Sequence, residues 1–347
     1  MHTHHMHTEE TAKMTNRRSD IALPMAYRGQ PSRRQILGAA GGLAGAALSA
    51  SLPGTAIWSD GAAHAADASF TFKLGDIEIT VVSDGHLMLP ARLVAPDAPE
   101  AERNAALAAA GQTGELAQPP TNVTLIKAGG EVILVDAGSG PNFMPTAGKL
   151  SANLEAAGIS PESVTKVVFT HGHPDHLWGA LDDFEEAPRF PNAAHLIGAS
   201  EWDYWTSEDA EKGLPADRAT FVAAARRNIA GIEAKAERLK PGQEIVPGIR
   251  AFDTPGHTQG HISLEIAGGG ETLVVLGDAL THPVISFQYP DWRPAADHVP
   301  EQAAETRKKL LDRLATEKSR VIGYHLPFPG IGRVEKKDGA YSYVQAG

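Results

Sequence analysis

Cysteine is absent from all 347 residues. That absence removes disulfides, iron–sulfur clusters, thiolate zinc sites and a lipid anchor on an N-terminal cysteine. Any metal in this chain must be held by His, Asp and Glu. Aromatic residues are scarce at 6%, whereas 35 Gly and 24 Pro promise many tight loops. Positive charge is also short: 31 Lys+Arg against 42 Asp+Glu leave a formal net charge of −11. A phosphate backbone would be repelled by such a chain, so nucleic acid is not an expected partner. What remains, 42% hydrophobic and 21% charged, is the composition of a globular enzyme. The length admits one large domain or two small ones.

The first stretch reads as an export signal. Ser32-Arg33-Arg34-Gln35-Ile36-Leu37 has a twin-arginine pattern, and the apolar, Gly/Ala-rich run Ile36–Leu52 follows it. Ala63-His64-Ala65 then offers small residues at the two positions a signal peptidase reads. The alternative is a membrane anchor, but the run is interrupted at Pro53 and falls short of the roughly 20 strongly apolar residues a span needs. The expected organisation is therefore a twin-arginine leader over 1–65 and one catalytic domain over 66–347. A stable membrane anchor is not expected, and the destination is the periplasm or the exterior.

Two patterns alternate along the rest. Ser69–Leu74 and Asp76–Ser83 predict paired strands around a Gly-Asp turn, and Asn122–Lys127 and Glu131–Asp136 predict a second hairpin around Gly129-Gly130. A helix is expected over Pro145–Ala157, then a short buried strand over Val164–Phe169 that ends at Thr170-His171. The second half repeats this order. A strand at Ala194–Ile197, a helix at Ala216–Ile232, strands at Ile249–Asp253, His261–Ile266 and Thr272–Leu276, a helix at Glu301–Ala315 and a last strand at Val321–Tyr324 are predicted. Two similar lobes packed face to face suit that repetition. The stretch Val94–Pro120 reads as a long loop with a short helix at Glu100–Ala110.

Chemistry concentrates in Thr170-His171-Gly172-His173-Pro174-Asp175-His176. Imidazole and carboxylate suit zinc and similar divalent ions. Gly172 permits a tight turn and Pro174 stiffens the entry to a helix. The turn can point His171 and His173 one way and Asp175 and His176 another, and two neighbouring metals follow from that division. Further ligands are expected at other strand ends: His257 in Asp253-Thr254-Pro255-Gly256-His257, Asp278 after Leu276-Gly277, and His325 after Tyr324.

These residues resemble the signature of the metallo-β-lactamase superfamily: His-x-His-x-Asp-His, a Gly-His, a Gly-Asp and a late His. The resemblance implies an α/β fold, a four-layer αβ/βα sandwich. It also implies that His171, His173 and His257 hold one divalent ion, that Asp175, His176 and His325 hold the other, and that Asp278 bridges them. Zinc is the expected metal. Leu74–Thr80, Ser83-Asp84-Gly85 and His325–Gly332 are similar to the methyl parathion hydrolase branch. The chemistry implied is hydrolysis: two cations share a water whose pKa falls to about 7, and Asp175 and Asp278 are the catalytic carboxylates.

His261, four residues after His257, is expected to orient neighbours rather than bind metal. His86, His195 and His298 read as structural or surface residues. His282 is assigned to the pocket or its support, and Leu89, Phe143, Trp202, Trp205 and Phe287 are candidate pocket walls. The expected substrate is a small phosphotriester or activated aryl ester, because no assured proton donor for a basic leaving group is visible. Tyr324, placed on a strand before His325, should face away from it. A lactonase, acting for example on acyl-homoserine lactones, is the alternative; a non-catalytic metal-binding protein is the alternative of another class. Homodimerisation stays open.

Overall fold

The computed structural model describes residues 68–346, apart from 183, 185 and 215–217. The export-signal reading of 1–65 lies outside the described residues. Strands β1 (Ser69–Leu74) and β2 (Ile77–His86) open the chain as a hairpin, and helix α1 (Glu100–Ala109) follows. Next come β3 (Pro120–Ala128), β4 (Glu131–Val135), α2 (Leu150–Ala156), β5 (Lys166–Phe169), the single turn α3 (Pro174–Leu177) and β6 (Ala194–Gly198). Helices α4 (Ala199–Thr206), α5 (Asp209–Gly213) and α6 (Ala219–Ile232) lead to β7 (Ala236–Leu239). The second lobe runs β8 (Glu244–Val246), β9 (Ile249–Asp253), β10 (Ile262–Gly268), β11 (Glu271–Val275), α7 (Ile285–Gln288), α8 (Pro300–Glu317), β12 (Arg320–Ile322), β13 (Ile331–Lys337) and β14 (Ala340–Gln345).

Each lobe contributes one seven-stranded sheet in which spatial order equals chain order, β1 to β7 and β8 to β14. Strand alternation explains how the sheets bury both faces. On β5, Val168 points between the sheets while Val167 and Phe169 face the helices. On β11, Leu273 and Val275 point between the sheets and Val274 faces α8. Such double-sided burial makes the strand read as a continuous apolar run. Between the sheets, Ile79, Val81, Ile133 and Leu196 of the first lobe meet Ile249, Leu264, Ile266 and Ile322 of the second. Helices α2, α4 and α6 cover the outer face of the first sheet through Leu154, Trp205 and Ile229, and α8 covers the second through Leu310, Leu311 and Leu314. The result is the four-layer αβ/βα sandwich. No helix among the described residues is long and apolar enough to cross a membrane.

The connectivity decides where chemistry can sit. β4, β5 and β6 run parallel, as do β11 and β12, so their carboxyl ends lie at one edge. Loops leaving that edge carry Asp136, the 170–176 turn, Asp278 and His325. Asn122 on β3 ties the lobes there, donating its side-chain amide to the carbonyls of Gly323 and Leu326 at 3.1 and 2.7 Å.

Some boundaries differ from the sequence reading. The helix expected over Pro145–Ala157 begins only at Leu150. The buried carboxylate of Asp84 accepts the amides of Ser139, Gly148 and Leu150 at 2.8, 3.2 and 2.7 Å, and Gly148 takes φ +76°, which no helix allows. The last predicted strand stops at Ile322, so Tyr324 is not on a strand at all.

Candidate metal centre

Seven side chains from separate loops converge at the shared sheet edge. His171 Nε2 lies 3.0 Å from His173 Nδ1, which lies 2.9 Å from His257 Nε2. Three donors around one tetrahedral ion at 2.0–2.1 Å would stand about 3.3 Å apart, so this spacing fits a shared cation. On the other side, His176 Nε2 and His325 Nε2 lie 3.4 and 3.3 Å from Asp175 Oδ2. Asp278 stands between the groups, with Oδ1 3.2 Å from His176 Nε2 and Oδ2 3.2 Å from both His257 Nε2 and His325 Nε2. The triplets His171/His173/His257, His171/His176/Asp278 and Asp175/His176/His325 each bring their donor atoms within 4.8 Å of one another. Asp175 Oδ2, His176 Nε2 and Asp278 Oδ1 are buried with no hydrogen-bond partner. Buried polar atoms left unsatisfied in this way, facing one another, are what a pair of cations would satisfy.

The far nitrogen of every candidate histidine is tied, which fixes the tautomer that frees the near one. His176 Nδ1 meets Asp136 Oδ2 at 2.8 Å, His257 Nδ1 meets Asp297 Oδ1 at 3.0 Å, and His325 Nδ1 meets the Pro120 carbonyl at 2.8 Å. His171 Nδ1 reaches the Thr170 hydroxyl at 3.0 Å, and that hydroxyl donates to Asp136 Oδ2 at 2.9 Å. Asp136 thus steadies a ligand of each group. It sits just past β4 at φ +68°. Asp297 is itself held by the buried Arg307 guanidinium at 2.9 Å.

Deeper still, the buried carboxylate of Glu201 accepts from the amides of Gly172 (2.8 Å) and Gly260 (3.0 Å), the Thr258 hydroxyl (2.7 Å) and the Trp205 indole (2.6 Å). It locks the 170–176 turn to the loop bearing His257. A Cβ on Gly172 would collide with the Trp205 ring, and one on Gly260 with the Glu201 backbone, so both glycines are required by close approach. His261 accepts the Asp278 amide on Nε2 at 2.9 Å and pairs with the Thr254 hydroxyl at 2.8 Å. It orients Asp278, the role expected from its spacing.

Electrostatics divides the histidines. Burial, reinforced by neighbouring imidazoles, holds His171 and His173 well below the ordinary imidazole range. Burial also opposes charge on His257, but Asp278 and then Asp297 outweigh it and hold His257 at about 9. Asp278 and Asp175 likewise overcome burial at His325, which sits at about 10. Against its burial, His176 is raised by Asp278, Asp175 and Asp136. The carboxylates mirror this: despite burial, His325, His176 and His257 keep Asp278 well below its usual range, and His176 and His325 do so for Asp175. Protons on three imidazoles therefore neutralise the carboxylates when no cation does.

Other residues singled out from sequence fall in varied places. Phe287 is wholly buried in the second lobe's core, 5.5 Å from the Tyr343 ring, and is no pocket wall. Trp205 is also wholly buried, behind His173 at 6.0 Å, with its indole committed to Glu201. Trp202 is buried under the Arg238 guanidinium. In each case the aromatic side chain finds apolar neighbours inward. Phe143 is half-buried edge-on to Trp178 at 5.4 Å and Phe221 at 6.2 Å. Leu89 is half-buried in a two-residue ladder with Ala117. His282 is buried, and its Nδ1 accepts the amides of Val284 and Ile285 at 3.2 and 3.0 Å, which places the ring proton on Nε2.

His298, read as structural or surface, is half-buried with its Nε2 2.9 Å from His173 Nε2. One further expectation is corrected. Tyr324 does not face away from the site. Its ring lies 3.9 Å from that of His176, and its hydroxyl donates to the Asp175 carbonyl at 2.6 Å. Asp136, Glu201 and Asp297 were invisible as single acidic residues, although Asp136 does follow the pattern of a strand ending on a ligand-type side chain.

A family model for the metallo-beta-lactamase superfamily matches residues 117–325, more than half of the chain. The chain belongs to that superfamily. It is 30% identical to metallo-beta-lactamase domain-containing protein 1 of Xenopus laevis over 57% of its own length and 69% of that protein's. Among solved structures, it is similar to AidC, a dizinc quorum-quenching lactonase in complex with a product N-hexnoyl-L-homoserine, at TM-score 0.76 and 28% identity, covering 81% of this chain and 99% of AidC. The hydrolase AbOPH is similar at TM-score 0.75 and 29% identity over 81% of this chain and 98% of its own. Quorum-quenching N-acyl homoserine lactone lactonase structures at 19% identity and TM-score 0.53 share the fold.

Cation uptake must displace the protons that His176, His257 and His325 carry. Zinc binding to metal-stripped protein near pH 7.5 should release protons, and affinity should fall as pH drops toward 6. Calorimetry in buffers of differing ionisation enthalpy checks this; uptake without proton release contradicts the charge balance described.

Proposed function

We propose that this chain is a two-metal hydrolase of ester bonds, with N-acyl-homoserine lactones and related lactones as its first substrate class. The observation that carries the reading is the convergence of five histidines and two aspartates into adjacent donor groups that share Asp278. Two divalent cations, zinc by donor chemistry, would sit with His171, His173 and His257 on one side and Asp175, His176 and His325 on the other. Such a pair acidifies water and polarises an electrophilic oxygen.

The chain's own residues set the rest. Asp278, its amide fixed on His261, spans both groups and sets their separation. Asp175, held ionised beside His176 and His325, would take a proton from the attacking water on the oxygen it does not lend to a cation and return it to the ring oxygen. Water adds across the acyl C–O bond: oxygen joins the carbonyl carbon, the ring C–O bond breaks, and the proton ends on the released alkoxide. Tyr324 cannot be the donor, since its hydroxyl is spent on the Asp175 carbonyl.

The likeness to AidC reverses the order of substrates that leaving-group chemistry alone suggests. Phosphotriesters and activated aryl esters form the second reading. The half-buried rings of Phe143, Trp178 and Phe221 pack edge-on to one another, and Trp178 directly follows the ligand turn, so this cluster would offer an apolar wall to an aryl group as well as to an acyl chain. The motifs similar to the methyl parathion hydrolase branch point the same way. Export by the twin-arginine route, to the periplasm or the exterior, completes the proposal.

A panel of acyl-homoserine lactones, nitrophenyl esters and paraoxon-like triesters, run on zinc-loaded protein, ranks the readings. Lactones should lead in kcat/KM by at least about tenfold, a difference of ~1.4 kcal/mol in the barrier. A lead for triesters establishes the second reading, and inertness toward the whole panel favours a non-catalytic metal-binding protein. Asp278→Ala should lose metal and at least about 100-fold in turnover, beyond the 10–100-fold range typical of residues that only support ligands. Full metal content with unchanged turnover in that variant refutes the bridging role.

A further inference from the structure

The outer ties of the candidate ligands are not all alike. His171, His176, His257 and His325 each present Nε2 to the cluster and anchor Nδ1 on an oxygen: Thr170, Asp136, Asp297 and the Pro120 carbonyl. His173 is reversed. Its Nδ1 faces His171 and His257, so its Nε2 points outward, and there it meets a nitrogen, His298 Nε2, at 2.9 Å. Two imidazoles at that distance share one proton, carried by one and accepted by the other. Only if His173 carries it does Nδ1 keep its lone pair for a cation.

The surroundings of His298 hold its ring in place beside His173. Its ring is boxed by Tyr204 and Trp205, with centroids at 5.5 and 5.6 Å, which fixes its plane against that of His173. Its backbone amide donates to the His257 carbonyl at 2.9 Å, and the preceding residue, Asp297, holds His257 Nδ1. One dipeptide therefore reaches two of the three histidines of a single group. Arg307 anchors it through Asp297 and through the carbonyls of Pro290 and Trp292 at 3.0 Å each. Nothing comparable from this segment touches His176 or His325, whose supports come from β3, β4 and their loops.

We infer that His298 is the positioning residue of His173: it accepts a hydrogen bond from the Nε2–H of His173 and so selects the tautomer whose Nδ1 completes the His171/His173/His257 group. The inference rests on the two-metal reading above and adds to it an independent control on one of the two positions. Removing His298 weakens that position alone. Replacing it by glutamine, whose side-chain oxygen also accepts a hydrogen bond, restores it.

The test is zinc retention by full-length protein dialysed against graded nitrilotriacetate, read by elemental analysis, for wild type, His298→Ala and His298→Gln, with unfolding midpoints of the metal-free forms as a control. Wild type should hold two zinc ions. His298→Ala should release one of them at about 10–100-fold lower chelator while keeping the other, the effect typical of losing a ligand's outer partner. His298→Gln should retain both near wild-type levels, and the metal-free midpoints should agree. Wild-type retention in His298→Ala overturns the inference and leaves the two-metal reading intact. Equal loss of both ions in both variants, with lowered metal-free midpoints, reduces His298 to a packing residue and also overturns it. Wild type that holds no zinc overturns both.

Discussion

Two carboxylates and five imidazoles share a pocket floor from which water is largely excluded, and everything else in the molecule answers to that fact. Asp175, Asp278 and the histidines of the cluster are almost wholly buried. Leaving a buried charge unpaired costs several kcal/mol, so the arrangement persists only with compensating charge close at hand. In the metal-free protein, protons on His176, His257 and His325 provide it; divalent cations would provide more, and in a fixed geometry. The same low-dielectric setting strengthens any field that acts on a bound ester. Folding and chemistry thus draw on a single electrostatic arrangement.

Holding such a cluster demands rigid supports, and the scaffold supplies them with further buried carboxylates. Asp84 organises the loop ahead of α2, Asp136 steadies a histidine of each group, Glu201 welds the 170–176 turn to the 254–261 loop, and Asp297 passes the constraint from Arg307 to His257. Each accepts from several donors at once, which satisfies the desolvated oxygens and limits the ways neighbouring loops can move. The parallel strands beneath define the edge, and these carboxylates define the angles. A hydrolytic centre needs both, since ångström-scale misplacement of reacting groups costs orders of magnitude in rate.

Much of this was legible in the chain before any coordinates. His171, His173, Asp175, His176, Asp278 and His325 each close or follow an apolar run, and a strand that ends on a ligand-type residue at a common edge is a pattern periodicity can find. The supports were harder. Glu201 lies on α4, where an acidic residue beside Trp202 looks like any solvent-facing position, and only the fold reveals that it turns inward. Asp297 and His298 lie in a segment without periodic pattern, so nothing local distinguishes them. The edge and hairpin strands β7, β8 and β13 escaped for a related reason: charged residues such as Glu237, Glu244, Glu335 and Lys336 break the apolar alternation because those strands face solvent on one side. Phe287 and Trp205 show the converse error, since a large aromatic near a ligand in sequence is equally at home in the core.

Two cations in these groups, with Asp278 between them, are what this chemistry requires. Anomalous diffraction from crystals of the zinc-loaded protein measures this directly. Two peaks roughly 3.5–4 Å apart, one among His171, His173 and His257 and the other among Asp175, His176 and His325, are the predicted result. A lone peak, or metal located away from Asp278, would contradict it.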